Sequence, residues 1–351
     1  MEKIDRVIAS IRPPDEGAMQ EAIKRQDSLT KPQGSLGQLE SLSIQIAGIR
    51  RNSLPSIVHK VIFTLAADHG VTQEGVSAYP SEVTAQMVYN FLSGGAAINV
   101  LARHVGAKVV VADLGVAASL APHPGLKSKK VAMGTRSMTK GPAMSREEAI
   151  RSIEAGIELV EDERTGGIDI LGTGDMGIGN TTASSAITTV MTGRDVALVT
   201  GRGTGLSDEQ LRTKVTVIKR AIELNRPDAS DGIDVLSKVG GFEIGGIAGV
   251  ILAGAGLGVP VVIDGFISGA AALIAASLCA QVKSYLIASH QSVEKGHRVL
   301  LKHLGLKPLF NLDLRLGEGT GAALGISLAE VSLKILTGMA TFAEAGVSEQ
   351  S

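Results

Sequence analysis

The stretch Ile168-Asp169-Ile170-Leu171-Gly172-Thr173-Gly174-Asp175-Met176-Gly177-Ile178-Gly179-Asn180-Thr181-Thr182 carries the information that decides the fold. Ile168 to Leu171 is a short apolar run rich in β-branched residues, the pattern of a strand buried on both faces. Gly172 to Gly177 then fits G-x-G-x-x-G, a spacing in which absent side chains let the backbone approach a phosphate. Asn180, Thr181 and Thr182 are capping residue types, so a helix is expected to begin there with free amides facing an anion. Capped tight turns without a ligand give the same pattern, so this segment has to be read together with the rest of the chain.

Working outward, five more runs of the same kind appear: Val61 to Ala66, Lys108 to Ala112, Val196 to Thr200, Val259 to Ile263 and Tyr285 to Ala288. Most are followed by a polar or glycine-rich turn, and the spacers are long enough for crossover helices. That is the pattern of an α/β fold with a parallel sheet covered on both faces. Ligands in such sheets bind beyond the carboxyl ends of the strands, which directs attention to Asp68-His69-Gly70, Gly172 to Asn180, Gly201 to Gly205, Asp264-Gly265 and Ser289 to Ser292. Ser207 with Gln210 reads as a capping box, and Leu211, Val215, Ile218 and Ile222 continue at helical spacing until Asn225 and Pro227. Glu16 to Gln26 and Leu39 to Arg50 read as helices, as do Val293 to Leu304 and Gly321 to Ala345. The expected organisation is a large α/β domain over 58–300, with residues 1–57 and 301–351 forming one small helical domain.

Composition narrows the function. Among 351 residues, 34 Lys plus Arg balance 35 Asp plus Glu, and no basic tract is present, so nucleic acid is not an expected partner. There are 43 glycines but only nine aromatic residues, three Tyr and six Phe, which fits a fold where backbone approaches backbone or ligand. The single cysteine, Cys279, excludes an internal disulfide and is expected to be a buried small hydrophobe. The first residues lack the apolar core of a secretion signal, so the expectation is a cytoplasmic protein. Gly245 to Ile263 is uncharged and nearly long enough to span a bilayer. Its glycines and Pro260 instead split it into a buried helix to about Leu257 and a strand from Val259, so no membrane span is expected.

Three further segments carry chemistry. Gly201-Arg202-Gly203-Thr204-Gly205 is a second flexible loop, adjacent to the first if consecutive strands are neighbours. Lys214 supplies a positive charge there if its helix points back toward the loops, or is simply solvated. In Leu316-Gly317-Glu318-Gly319-Thr320-Gly321 a carboxylate stands between glycines, either as an acid favoured at a helix N-terminus or as a general base whose pKa burial would raise. His290, Glu294 and His297 invite a metal reading, but their spacing matches no familiar zinc pattern, and no metal is expected. A dinucleotide fold wants an acid at the end of the next strand, where Thr200-Gly201-Arg202-Gly203 stands instead.

Taken together these blocks resemble the nicotinate-nucleotide–dimethylbenzimidazole phosphoribosyltransferase family of cobalamin biosynthesis. The resemblance runs along nearly the whole chain, through Lys31 to Gly37, Ala67 to Val71, Glu82 to Thr84, Gly174 to Thr182, Gly201 to Gly205, Ser289 to Ser292 and Arg315 to Gly321. It implies a Rossmann-like six-stranded parallel sheet, a small helical domain from both termini, and a homodimer. It implies that Glu318 is the catalytic base, with Asp175 also at the reacting centre, stabilising a cation-like sugar. Tyr79, Gln86 and Met87 would lie near the aromatic base. Gly174, Met176, Gly177, Gly179, Asn180, Gly201, Gly203 and Thr204, with Lys214 and Ser292, would surround phosphate and ribose, and Asp264 and Leu316 complete the substrate-binding set. Asp175 departs from the glutamate expected in many relatives.

The implied substrates are nicotinate mononucleotide and a dimethylbenzimidazole-type base, and the chemistry is coherent with no cofactor. The pyridinium ring leaves as a neutral ring, so the main requirement is an aligned nucleophile, which Glu318 would activate, and attack from the opposite face inverts the sugar carbon. An NAD(P)-dependent oxidoreductase, resting on the G-x-G-x-x-G match alone, and a non-catalytic nucleotide sensor are the competing readings.

Overall fold

The structure, a computed structural model, describes residues 1–203 and 205–348. Strands β1 (Lys60–Ala67), β2 (Lys108–Gly115), β3 (Leu126–Ser128), β4 (Ile170–Met176), β5 (Val261–Ile263) and β6 (Leu286–Ala288) form one sheet. Every pairing is parallel, in the order β3-β2-β1-β4-β5-β6, the doubly wound Rossmann arrangement. The strand order reverses between β1 and β4, where Val61 pairs with Leu171 and Leu65 with Asp175.

Side chains alternate strictly across this sheet. In β1, Val61, Phe63, Leu65 and Ala67 join one apolar cluster, while Ile62 and Ala66 join another on the opposite face. β5 and β6 do the same, with Val262 and Ile287 facing opposite to Val261, Ile263 and Leu286. Period-two alternation over two apolar faces is what the uninterrupted apolar runs encode. The first face is covered by helices Arg146–Glu163, Phe242–Gly256 and Phe266–Leu278, the second by Glu82–Leu92, Ala97–Val105 and Thr320–Gly338. Every residue from Phe242 to Ala255 is buried, which is why that helix shows no polar stripe. Its Gly249 lies so close to the neighbouring helix that a methyl group there would overlap the backbone of Ile153, 2.9 Å from its carbonyl carbon.

Five strands grow from the expected apolar runs; the sixth does not. Val196–Val199 is a four-residue helix, because the Asp195 carboxylate accepts the Ala197 amide at 2.8 Å and caps it. Leu198 is 61% exposed, so this run never has the two buried faces a central strand requires. The missing strand is β3 at the sheet edge, which pairs Leu126 with Val111 and whose Leu-Lys-Ser sequence has no apolar pattern to announce it. The Gly201 to Gly205 loop therefore does not follow a strand adjacent to β4. The G-x-G-x-x-G match is also largely strand: Gly172 and Gly174 lie within β4, and only Gly177 to Gly179 makes the turn.

Helices Glu16–Ser28 and Gln38–Arg50 pack with Thr320–Gly338, and Ala22, Ala47 and Leu336 share a small apolar cluster. Leu29 and Thr341 pair in an antiparallel bridge beside it. Helix Glu2–Ser10 packs instead on Phe242–Gly256, and Thr320–Gly338 also packs on β4 and β5. The single helix expected over Gly321 to Ala345 is two: Thr320–Gly338, then Phe342–Ala345 with its own Thr341 capping box. Thr320–Gly338 is the one described helix long and apolar enough to cross a membrane, and it is a sheet-covering helix with half of its apolar window buried. Gly245 to Ile263 divides into a helix ending at Gly256 and strand β5, as its glycines and Pro260 require. Cys279 is half-buried rather than buried, at the end of helix Phe266–Leu278.

Candidate active site

A cavity of about 400 Å³ opens beyond the carboxyl ends of β4, β5 and β6, beside the point where the strand order reverses. β4 contributes Asp175 and Met176, and the turn after it Gly177 and Asn180; Gly265 and Phe266 follow β5; His290, Ser292 and Glu294 follow β6; and Arg315 to Glu318 form one wall. Tyr79, Val83 and Met87 come from the segment after β1. A smaller cavity of about 40 Å³ adjoins it, lined by Gly179, Thr181, Arg202, Gly203 and Lys214 among others.

Glu318 is buried and stands in left-handed backbone (φ 63), between Gly317 (φ 84) and Gly319 (φ 98). An L residue holds that conformation only when its surroundings fix it. Thr64 Oγ1 donates to the Glu318 carbonyl at 2.8 Å, the Glu318 amide donates to the Asp175 carbonyl at 3.2 Å, and the Ile98 amide donates to Glu318 Oε2 at 3.2 Å. Burial raises the Glu318 pKa, and the Ile98 amide opposes that rise. Gly174 is required beneath this turn: a methyl group there would sit 2.5 Å from the Glu318 carbonyl carbon.

Asp175 is buried, with Oδ2 accepting from Asn180 Nδ2 at 2.9 Å and Oδ1 without a partner among the described residues. Burial pushes its pKa well above the ordinary aspartate value, and the negative charges of Asp264, Glu243 and Glu318 push it further. Burial and neighbouring negative charge both favour its protonated form over its anion. Asp264 is also buried, and burial raises it to about 7 against three backbone amides that favour its charge. Its partners are the amides of Gly319, Gly321 and Ala322, and it does not line the cavity.

The wall at the start of helix Asn180–Thr192 is built differently from the expected cap. Helix Asn180–Thr192 starts after Gly179 (φ 92) with no side-chain cap, because Asn180 turns to Asp175. Lys214 is not solvated: it is fully buried, donates from Nζ to Thr181 Oγ1 at 2.7 Å, and is lowered by burial to about 8, with Glu294 opposing that shift. Ser207 and Gln210 form the expected capping box, which aims the Lys214 helix inward. The Gly203 amide donates to Glu294 Oε1 at 2.9 Å. Neighbouring strands do not bring the two loops together; helix packing and Glu294 do.

Tyr79, Met87, Asp175, Met176, Gly177, Asn180, Gly203, Ser292, Leu316 and Glu318 thus share the main cavity, and Gly179 and Lys214 the smaller one. Gln86 is exposed on its helix and lines neither, Gly174 supports the Glu318 turn, and Gly201 packs against the Glu294 carboxylate. Thr204 lies outside the described residues. His290, Glu294 and His297 do not share a helix face, since Glu294 caps helix Lys295–Leu304 and His290 precedes it. Burial lowers His290 to about 4 and His297 to about 3, so both are neutral imidazoles.

A family model described as Phosphoribosyltransferase matches residues 11–347. A nicotinate-nucleotide–dimethylbenzimidazole phosphoribosyltransferase of Roseiflexus sp. (strain RS-1) is 60% identical, over 99% of this chain and 99% of that protein. One from Chloroflexus aggregans (strain MD-66 / DSM 9485) is 57% identical, over 100% of this chain and 99% of its own length. The crystal structure of the corresponding enzyme from Thermus thermophilus superposes with a TM-score of 0.91 at 44% identity, covering 96% of this chain and 100% of that one. The chain belongs to the nicotinate-nucleotide–dimethylbenzimidazole phosphoribosyltransferase family.

For a phosphoribosyltransferase of this family, sequence reasoning missed several cavity residues. Phe266 and Ile267, directly after the Asp264-Gly265 turn, were recoverable by reading two residues past it. The sequence offers Glu294 only as a metal candidate, and its hydrogen bond to Gly203 spans 91 positions, which no local pattern encodes.

Proposed function

We propose that this phosphoribosyltransferase transfers phosphoribosyl from nicotinate mononucleotide to 5,6-dimethylbenzimidazole, giving α-ribazole 5′-phosphate and nicotinate with inversion at C1′. The observation that carries this reading is Glu318, a buried carboxylate of raised pKa, in one cavity with a glycine-rich helix start that adjoins a buried lysine. The backbone at the start of helix Asn180–Thr192, with Gly203 and Lys214 beside it, is suited to a phosphate dianion. Tyr79, Val83, Met87 and Leu316 supply apolar surface for a flat ring.

In the proposed reaction one ring nitrogen of the benzimidazole attacks C1′ while Glu318 takes the proton from the other. The C1′–N bond to the pyridinium breaks, and its electron pair returns to the nicotinate ring, which leaves without a ring charge. Glu318 keeps the proton until product departs. Asp175 lies in the same cavity as Glu318, and burial among other carboxylates raises its pKa, which favours a hydrogen-bonding role toward the substrate over a purely charged one. Asn180 orients Asp175 through Oδ2.

Tyr79 (53% exposed) and Leu316 (57% exposed) leave the mouth partly apolar, which supports a homodimer in which a second copy covers it. Incubation with nicotinate mononucleotide and dimethylbenzimidazole, followed by chromatography and mass analysis, tests the reaction. α-Ribazole phosphate is the expected product, and its absence overturns the proposal.

A further inference from the structure

Two helices begin beside the cavity from left-handed glycines without a side-chain cap: Asn180–Thr192 after Gly179, and Thr320–Gly338 after Gly319. Each helix start presents backbone amides and a partial positive charge. At the second start those amides are already taken. Asp264 Oδ1 accepts from Gly321 at 2.7 Å and Ala322 at 3.1 Å, and Oδ2 accepts from Gly319 at 3.1 Å. Both carboxylate oxygens are therefore committed to backbone 55 or more positions away.

The segment held this way carries Glu318. Gly317, Glu318 and Gly319 are three consecutive left-handed residues, and the middle one is not glycine. Thr64 and the Asp175 backbone tether the front of this turn. Among the described residues, Asp264 alone ties its rear to the end of β5, through Gly319 and the first helical amides. Its own amide donates to Thr173 Oγ1 at 3.3 Å, which anchors it to β4 as well.

We propose that Asp264 is a positioning residue for Glu318: a buried side chain that pins the Gly317–Gly321 turn to the sheet and aims the base, without touching substrate. This rests on the reading of Glu318 as the base.

Asp264→Asn places an NH2 group against an amide that formerly donated, so the turn shifts while the side-chain volume stays the same. A displacement of about 1 Å at a reacting group costs on the order of 10²-fold in rate, and kcat is expected to fall by that factor. KM for nicotinate mononucleotide is expected to stay within about threefold, since uniform binding is untouched. Asp264→Ser, which can accept one amide, should show the same split and serves if the Asn variant unfolds. A kcat within about twofold of the parent, or a KM that rises as much as kcat falls, overturns the assignment. Glu318→Gln run alongside separates the two ideas: normal turnover there removes the base itself, whereas an inactive Glu318→Gln beside a fully active Asp264→Asn removes only the positioning role.

Discussion

Glu318→Gln replaces the proposed base by a group of the same shape that cannot take a proton. The amide oxygen can still accept from Ile98, and the backbone bonds to Thr64 and Asp175 do not involve the side chain, so the turn should persist. A positioned general base contributes about 10²–10⁴ in rate, or about 3–5 kcal/mol of barrier. The expected kcat is lower by that factor. Nucleotide affinity should change by less than about threefold, because Lys214, Asn180 and Gly203 form a separate wall. The assay is single-turnover formation of α-ribazole phosphate, with calorimetric titration of nicotinate mononucleotide alongside. A rate within about tenfold of the parent would refute the assignment of Glu318 as base.

The same carboxylate predicts a pH profile. Burial raises its pKa, and the active base form is lost as pH falls through that raised value, so the acid limb of kcat/KM should lie above the ordinary glutamate value of about 4.3. A limb at or below it would contradict the burial argument. Lys214→Met should weaken nucleotide binding yet stabilise the free protein. Lys214 is held at about 8 when folded and returns to roughly 10.4 when unfolded, so the penalty for its charge is complete below pH 8 and fades as pH rises toward 10.4. At pH 7 the gain should be on the order of 3 kcal/mol, read by chemical unfolding at pH 7 and pH 10; equal stability of the two proteins at pH 7 would count against it. Gly174→Ala forces a methyl group into the Glu318 carbonyl, and should cost about 1–3 kcal/mol of stability together with at least about 10²-fold in kcat. Unchanged turnover would show that the turn is free to move.

Much of this protein was legible in its sequence because much of it is local. Five of six strands follow from apolar runs, and the Ser207 capping box follows from residues three positions apart. The glycines around Glu318 pointed to a special turn, since only a constrained backbone needs them there. Local signals also misled. Asp195 turned an apolar run into a short helix, the β3 edge strand carried no apolar pattern, and the first two glycines of G-x-G-x-x-G serve strand packing rather than a loop.

What only the tertiary structure decided are the contacts made across many positions. It buried Lys214 against Thr181, brought Glu294 to Gly203, and closed Asp264 onto Gly319, Gly321 and Ala322. Spacing along the chain specifies hydrogen bonds within one turn or one cap. Which buried charges face one another depends on how crossover helices settle on the sheet, and the pKa values that make the site reactive arise only from that packing.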